Sequence, residues 1–170
     1  MKKIYLLIIF FFSSTYVCAD VKIVYIDINS ILNNSIVGQS ISKHILTIKE
    51  AKNKEFATIE SQLLDKEKDV IKKKNIVKKE DFEKQVNALK KEVENYNIKK
   101  INFGKEIDEK KIKYTKIVLD ALNPIIADYV EKNSISMVLP KKNIIIAKKN
   151  LDITSVIMDL LNIQLKTIDF

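Results

Sequence analysis

Between Phe82 and Ala121 an apolar side chain returns at every third or fourth residue. The series reads Phe82, Val86, Leu89, Val93, Tyr96, Lys100, Phe103, Ile107, Lys110, Tyr114, Ile117 and Ala121, and ten of its twelve members are apolar or aromatic. Most residues between them are Lys, Glu, Asp or Asn. This 3-4 spacing is the seam along which a long helix packs side by side with another helix. At about 1.5 Å per residue such a helix outruns any compact core, so part of the chain must project as an arm. Composition agrees: 31% charged residues, two glycines, two prolines and no tryptophan suit long helices better than a turn-rich sandwich.

A chain of 170 residues leaves room for one small domain beside the arm. Its formal charge of +8 is carried by Lys alone, since the sequence contains no Arg. Sequence-specific nucleic-acid recognition usually leans on bidentate Arg contacts, which are therefore missing. Residues 1–19 carry an address. Lys2 and Lys3 precede an apolar run from Ile4 to Phe12, and Val17-Cys18-Ala19 ends the segment. A basic start, a short apolar core and a V-x-A end predict a secretory signal peptide cut before Asp20. The run falls short of the roughly 20 apolar residues that a membrane-spanning helix needs. Cleavage removes Cys18, the only cysteine, so no disulfide supports the mature chain. Packing or oligomerisation must hold it together.

Val21 to Ile28 is a β-branched and aromatic run suited to a buried strand. Asn29 to Asn34 reads as a turn or a short helical turn, and Ser35 as the N-cap of a helix from Ile36 to Lys74. The seam of that helix is the poorer one: Ile41, Ile45, Ile48, Lys52, Phe56, Ile59, Leu63, Lys66 and Val70. The pattern breaks near Lys72-Lys73-Lys74-Asn75 and resumes in a new phase from Glu80. That break predicts an antiparallel hairpin with its tip at residues 73–79 and a left-handed Asn75 closing the first helix. Arms of about 36 residues would reach roughly 50 Å. Lys100, Gly104 and Lys110 interrupt the returning seam, where a bend and a tolerated glycine in a straight helix fit equally. Pro124 should kink or restart the helix near Asn123.

Two short strands are expected next, residues 136–139 and 143–147, joined as a hairpin by Pro140-Lys141-Lys142. Asp152 opens a last helix, Ile153 to Gln164. The expected fold class is α+β: a small β-body of about three strands plus a C-terminal helix, built discontinuously from residues 20–38 and 122–170. A long antiparallel α-helical hairpin, residues 39–121, is inserted between its first and second strands. So small a core favours assembly through the sheets.

Catalytic constellations are missing. The only histidine, His44, stands between Lys43 and Ile45, away from any cluster of carboxylates, and a lone His is not a metal site. A mature chain whose only glycines are Gly38 and Gly104 has no glycine-rich nucleotide loop. Neither enzymatic activity nor a cofactor is expected.

Motifs at the two ends point further. They are Ile23-Val24-Tyr25-Ile26-Asp27 with Leu32, Ser35 and Gly38, then Ser136-Met137-Val138-Leu139 and Asn143-Ile144-Ile145-Ile146-Ala147. A D-I-T-x-x-V helix start at Asp152 finishes in Leu161-Asn162. In these segments, the signal peptide and the inserted hairpin, the chain resembles the periplasmic chaperones called Skp or OmpH-like, over its whole mature length. The resemblance implies a homotrimer whose β-bodies associate, with three helical hairpins hanging around a cavity. Unfolded outer-membrane β-barrel proteins would be held there without ATP, in the periplasm.

The oligomer interface is then expected at Ile23, Val24, Ile26, Val138, Ile144, Ile145 and Ile146. Client contacts are expected along the arm at Phe56, Ile59, Leu63, Val70, Phe82, Val86, Leu89, Tyr96 and Phe103. Lys-rich arms would also attract acidic clients and an anionic membrane surface, with strong salt dependence. The alternative is a structural envelope protein whose coiled coil spaces or tethers partners.

Overall fold

The computed structural model describes residues 21–170, so the signal-peptide reading of residues 1–19 lies outside the described residues. In chain order come β1 (Ile23–Ile26), α1 (Ile28–Asn34), α2 (Ile36–Lys73), α3 (Lys79–Lys132), β2 (Met137–Pro140) and α4 (Thr154–Gln164). Single 3-10 turns stand at Lys141–Asn143 and Lys149–Leu151.

The arm begins at a sharp corner. The Ser35 N–H donates to the Ile31 carbonyl at 3.0 Å, ending α1. Its hydroxyl accepts from the Gly38 N–H at 3.1 Å, starting α2. Only glycine fits the turn that follows, because a Cβ on Gly38 would stand 2.0 Å from the Leu32 carbonyl oxygen. From there α2 runs for 38 residues and α3 returns for 54. Helices this long are held by packing rather than by propensity. Ile45 and Phe56 of α2 and Tyr96, Ile107 and Tyr114 of α3 are buried, and most other seam positions are half-buried. Two of the lysines that interrupt the seam reach sideways to the opposite helix, Lys66 to Glu92 and Lys100 to Glu60 at 3.2 Å, whereas Lys52 and Lys110 pair with Glu55 and Glu106 of their own helices. At Gly104 a Cβ would meet nothing within 4 Å, and α3 continues through it. The glycine there is tolerated, not required.

Three local expectations are corrected. Asn75 is not left-handed. The tip tightens through short-range bonds instead, Lys74 N–H to Ile71 and Ile76 N–H to Lys73, at 3.1 and 3.0 Å. Among the described residues the one non-glycine with positive φ is Ser134, at 50°. It closes α3: the Ile135 N–H bonds to the Val130 carbonyl and the Ser134 N–H to that of Glu131, the paired bonds of a Schellman motif. Nor does the helix restart near Asn123, since α3 passes through Pro124. An interior proline costs about 3 kcal/mol. Leu122 and Ile125 beside it are both buried, each worth about 1.5–3 kcal/mol, so packing wins.

The third correction concerns the sheet. No strand forms over residues 143–147, and β2 does not turn back as a hairpin. β1 and β2 pair in parallel, from Ile23 opposite Met137 to Ile26 opposite Pro140, with the whole hairpin as their crossover. The other side of β1 is taken by Asp152, bridged to Tyr25, and the Ile153 N–H donates to the Tyr25 carbonyl at 3.0 Å. After Pro140 the chain is pinned by Lys141, whose ammonium lies 3.4 Å from Asp152 and 3.9 Å from Asp27. Ile145 and Ile146 then stand 104% and 90% exposed. β-branched residues favour a strand only where a neighbouring strand gives them something to pack on, and among the described residues they pack on none.

One core unites the ends of the chain. Val24, Ile26, Ile31 and Val37 meet Val118, Leu122 and Ile125 of α3, and Ile153, Ile157 and Leu161 close the far side. Polar bonds of very long sequence separation lock it. Asp27 caps α1 through the Ser30 N–H at 2.9 Å, while its own N–H donates to the Thr154 hydroxyl at 2.9 Å. That hydroxyl and the Thr154 N–H both donate to Asp152. Asn162 accepts from the Ile36 N–H at 2.8 Å and so ties α4 to the start of the arm. Burial alone would raise the Asp152 pKa, but the two Thr154 donors and the Lys141 ammonium outweigh it and hold the carboxyl below its ordinary value.

Candidate functional site

Successive helix residues point about 100° apart, so only one member of an adjacent apolar pair can face a partner helix. The distal half of α2 carries two such pairs of large aliphatic residues, Leu63-Leu64 and Val70-Ile71. Leu63 and Val70 are half-buried against α3, and Leu64 and Ile71 stand out at 55% and 61% exposure. Across from them α3 presents Phe82, Val86, Leu89 and an exposed Val93. Together these side chains line a groove of about 720 Å³ on the distal part of the hairpin, with Glu60, Glu67, Lys90 and Asn97 also along its walls.

Tyr96 also borders the groove, and an aromatic clasp lies beside it. Its ring meets that of Phe56 edge-on with centroids 5.8 Å apart, and Phe56 meets Phe103 in the same manner at 5.8 Å. The Lys52 and Lys100 ammoniums lie 5.6 and 5.3 Å from the Phe56 and Tyr96 centroids. The Tyr96 hydroxyl donates to the Glu60 carboxylate, which also accepts from Lys100 at 3.2 Å. Tyr96 first and Lys100 second hold the Glu60 carboxyl below its ordinary pKa. Burial and then the bond to Glu60 raise the Tyr96 phenol, and the same carboxylate raises Lys100. At neutral pH the clasp is therefore a carboxylate held by one neutral and one cationic donor.

Of the nine arm residues expected to meet a client, Leu63, Val70, Phe82, Val86, Leu89 and Tyr96 line the groove. Phe56 and Phe103 lie in the aromatic clasp, and Ile59 is half-buried on the seam. Helical periodicity missed Leu64 and Ile71, which widen the apolar surface and for which the doublets in α2 were the available signal; Val93 stood in the seam but was not expected among the client contacts. The residues expected at an oligomer interface are spread apart. Val24 and Ile26 are spent on the chain's own core, and Val138 packs against it. Ile144 is half-buried, whereas Ile23, Ile145 and Ile146 face outward.

The model of the family described as Outer membrane protein (OmpH-like) matches residues 22–161, from just before β1 to Leu161 in α4. The chain belongs to the OmpH-like family. Both the body and the arm fall within the OmpH-like match, so the hairpin is part of the family architecture rather than an addition to it. The same architecture is seen in the crystal structure of a candidate outer membrane chaperone (OmpH-like) from Caulobacter crescentus CB15. It superposes with a TM-score of 0.80 at 22% identity, covering 94% of this chain and 95% of that one. At that identity the likeness is one of fold. No curated protein matches the chain.

Proposed function

We propose that this OmpH-like chain is a non-enzymatic, ATP-independent holding chaperone of the periplasm that shelters unfolded outer-membrane β-barrel proteins between projecting arms. The observation that carries the reading is the distal groove, an aliphatic and aromatic trough on an arm whose outer faces are charged. Strands of such barrels alternate apolar and polar residues, so an unfolded one offers many short apolar contacts and no single strong one. A shallow trough takes them weakly and releases them without nucleotide hydrolysis.

The reading includes a homotrimer joined through the bodies. Its support is apolar surface that none of the described residues covers: Ile145, Ile146, Met137 and the outer edge of β2, unpaired among those residues. It also includes contact with an anionic membrane surface. At the hairpin tip Lys72, Lys73, Lys74, Lys78 and Lys79 surround an exposed Ile76, and each Lys near an anionic surface contributes about 1 kcal/mol at low screening.

The decisive experiment dilutes a urea-unfolded barrel protein into buffer with the mature chain and follows light scattering. Scattering should be suppressed at stoichiometric chaperone without ATP. Replacing Leu64 and Ile71 by Asp should weaken that protection without shifting the melting temperature. Unchanged aggregation with the wild-type protein would sink the reading and favour a coiled-coil spacer with a stable partner in a pull-down.

A further inference from the structure

Residues 165–170 follow α4 and lie back on the root of the arm. Ile168 packs against both the body core and the cluster of Ile45, Ile107 and Tyr114. Phe170 stacks on His44 of α2 with ring centroids 3.9 Å apart and planes 13° apart, and it meets Tyr114 of α3 edge-on at 5.5 Å. His44 and Tyr114 lie 6.1 Å from each other, so α2 and α3 together form an open aromatic notch against which one face of Phe170 lies, the side chain staying 49% exposed. The segment is held by side chains alone. The Leu165 N–H donates to Leu161 at 2.8 Å, and no backbone bond ties residues 166–170 to the rest of the described chain. Lys166, Thr167 and Asp169 are exposed, as is the outer face of Phe170. Such a strap can leave without breaking a ladder of backbone hydrogen bonds, which places it at the low-stability end of the fold.

We propose that the His44–Tyr114 notch is a subsite for an aromatic side chain of an unfolded polypeptide, and that Phe170 occupies it in the free protein as a built-in competitor. The chemistry of the occupant is read from what sits there: a ring two residues beyond an aliphatic side chain, in a segment without secondary structure. Unfolded barrel strands supply that pattern, with apolar residues at alternate positions and aromatic residues in girdles. Because Phe170 blocks the notch, apparent affinity falls by the fraction of time the notch is open. A client that displaces it gains a second foothold on the same arm as the distal groove, and two tethered weak contacts exceed either alone. The inference rests on the holding role proposed above.

The test uses the hexapeptide of residues 165–170, labelled with a fluorophore, as its first probe. It is titrated against the mature chain, the same chain ending at Leu165, and Phe170→Ala, which keeps Ile168 in place should the shortened chain lose stability. The peptide should bind both altered proteins about tenfold more tightly than the wild type, and His44→Ala in the shortened chain should abolish binding. A urea-unfolded barrel protein should then bind Phe170→Ala about threefold more tightly than wild type, and excess hexapeptide should displace part of it. Equal peptide binding to wild type and Phe170→Ala, or none to any, overturns the notch. Peptide binding as expected with unchanged client affinity overturns the competition and leaves the holding role standing. A client that binds none of the proteins removes the holding role, and the assignment of the notch to clients with it.

Discussion

Phe56→Ala should unlatch the distal arm while leaving the body closed. The Phe56 side chain is buried between the helices, with two edge-on rings at 5.8 Å and the Lys52 ammonium at 5.6 Å. Truncating a packed core Phe costs about 3–5 kcal/mol. An arm only two helices thick lets water into the vacated space, so the lower figure, about 3 kcal/mol, applies here, with about 1–3 of it from the two aromatic pairs. Since 1.4 kcal/mol is tenfold, amide protection in the distal halves of α2 and α3 should fall about a hundredfold. The body core contains Val24, Ile26, Leu122, Ile157 and Leu161 but neither Phe56 nor its aromatic partners, so protection there should persist. Native-state hydrogen exchange read by mass spectrometry separates the two regions. Equal loss in body and arm, or none in the arm, would refute an arm that opens as its own unit.

Three further outcomes are expected. Gly38→Ala should gain about 1 kcal/mol on helix propensity alone, yet the 2.0 Å approach to the Leu32 carbonyl makes it strongly destabilising, and a melting temperature at or above wild type contradicts that close corner. Asp152 has a folded pKa below its unfolded value, so its contribution is fully present above the unfolded pKa, about 3.9, and is lost as pH falls through the folded one. Asp152→Asn should therefore lower the urea midpoint at pH 7 and flatten its decline below about pH 4; parallel pH profiles for the two proteins would count against the Thr154 and Lys141 contacts. Ile145→Asp should dissociate the proposed trimer in sedimentation while the chain stays folded, whereas Val24→Asp, which buries a charge in the core, should unfold the body; an intact trimer for Ile145→Asp removes residues 144–148 from the interface.

The hairpin could be read from the order of residues because burial between two helices repeats with the helix period, and that repeat survives in the string from Phe82 to Ala121 and from Ile41 to Val70. Ser35 announced its cap because the bond to Gly38 spans three residues. The motifs at the ends were visible as a family pattern, but their physical roles were not. The Asp27–Thr154 and Ile36–Asn162 bonds join residues 127 and 126 positions apart, and no local pattern reports such a pairing. The strand expected at residues 143–147 failed for a related reason: its propensity is local, but a ladder needs the returning segment to lie alongside β2. After Pro140 the chain enters a 3-10 turn at Lys141–Asn143 and, among the described residues, leaves the outer edge of β2 unpaired. Tertiary structure alone decided that Leu64 and Ile71 widen a groove and that Phe170 lies on His44. By itself the sequence determined that a long arm exists and where it folds back. Which surfaces of that arm stay open, and what closes the others, depended on contacts between distant segments.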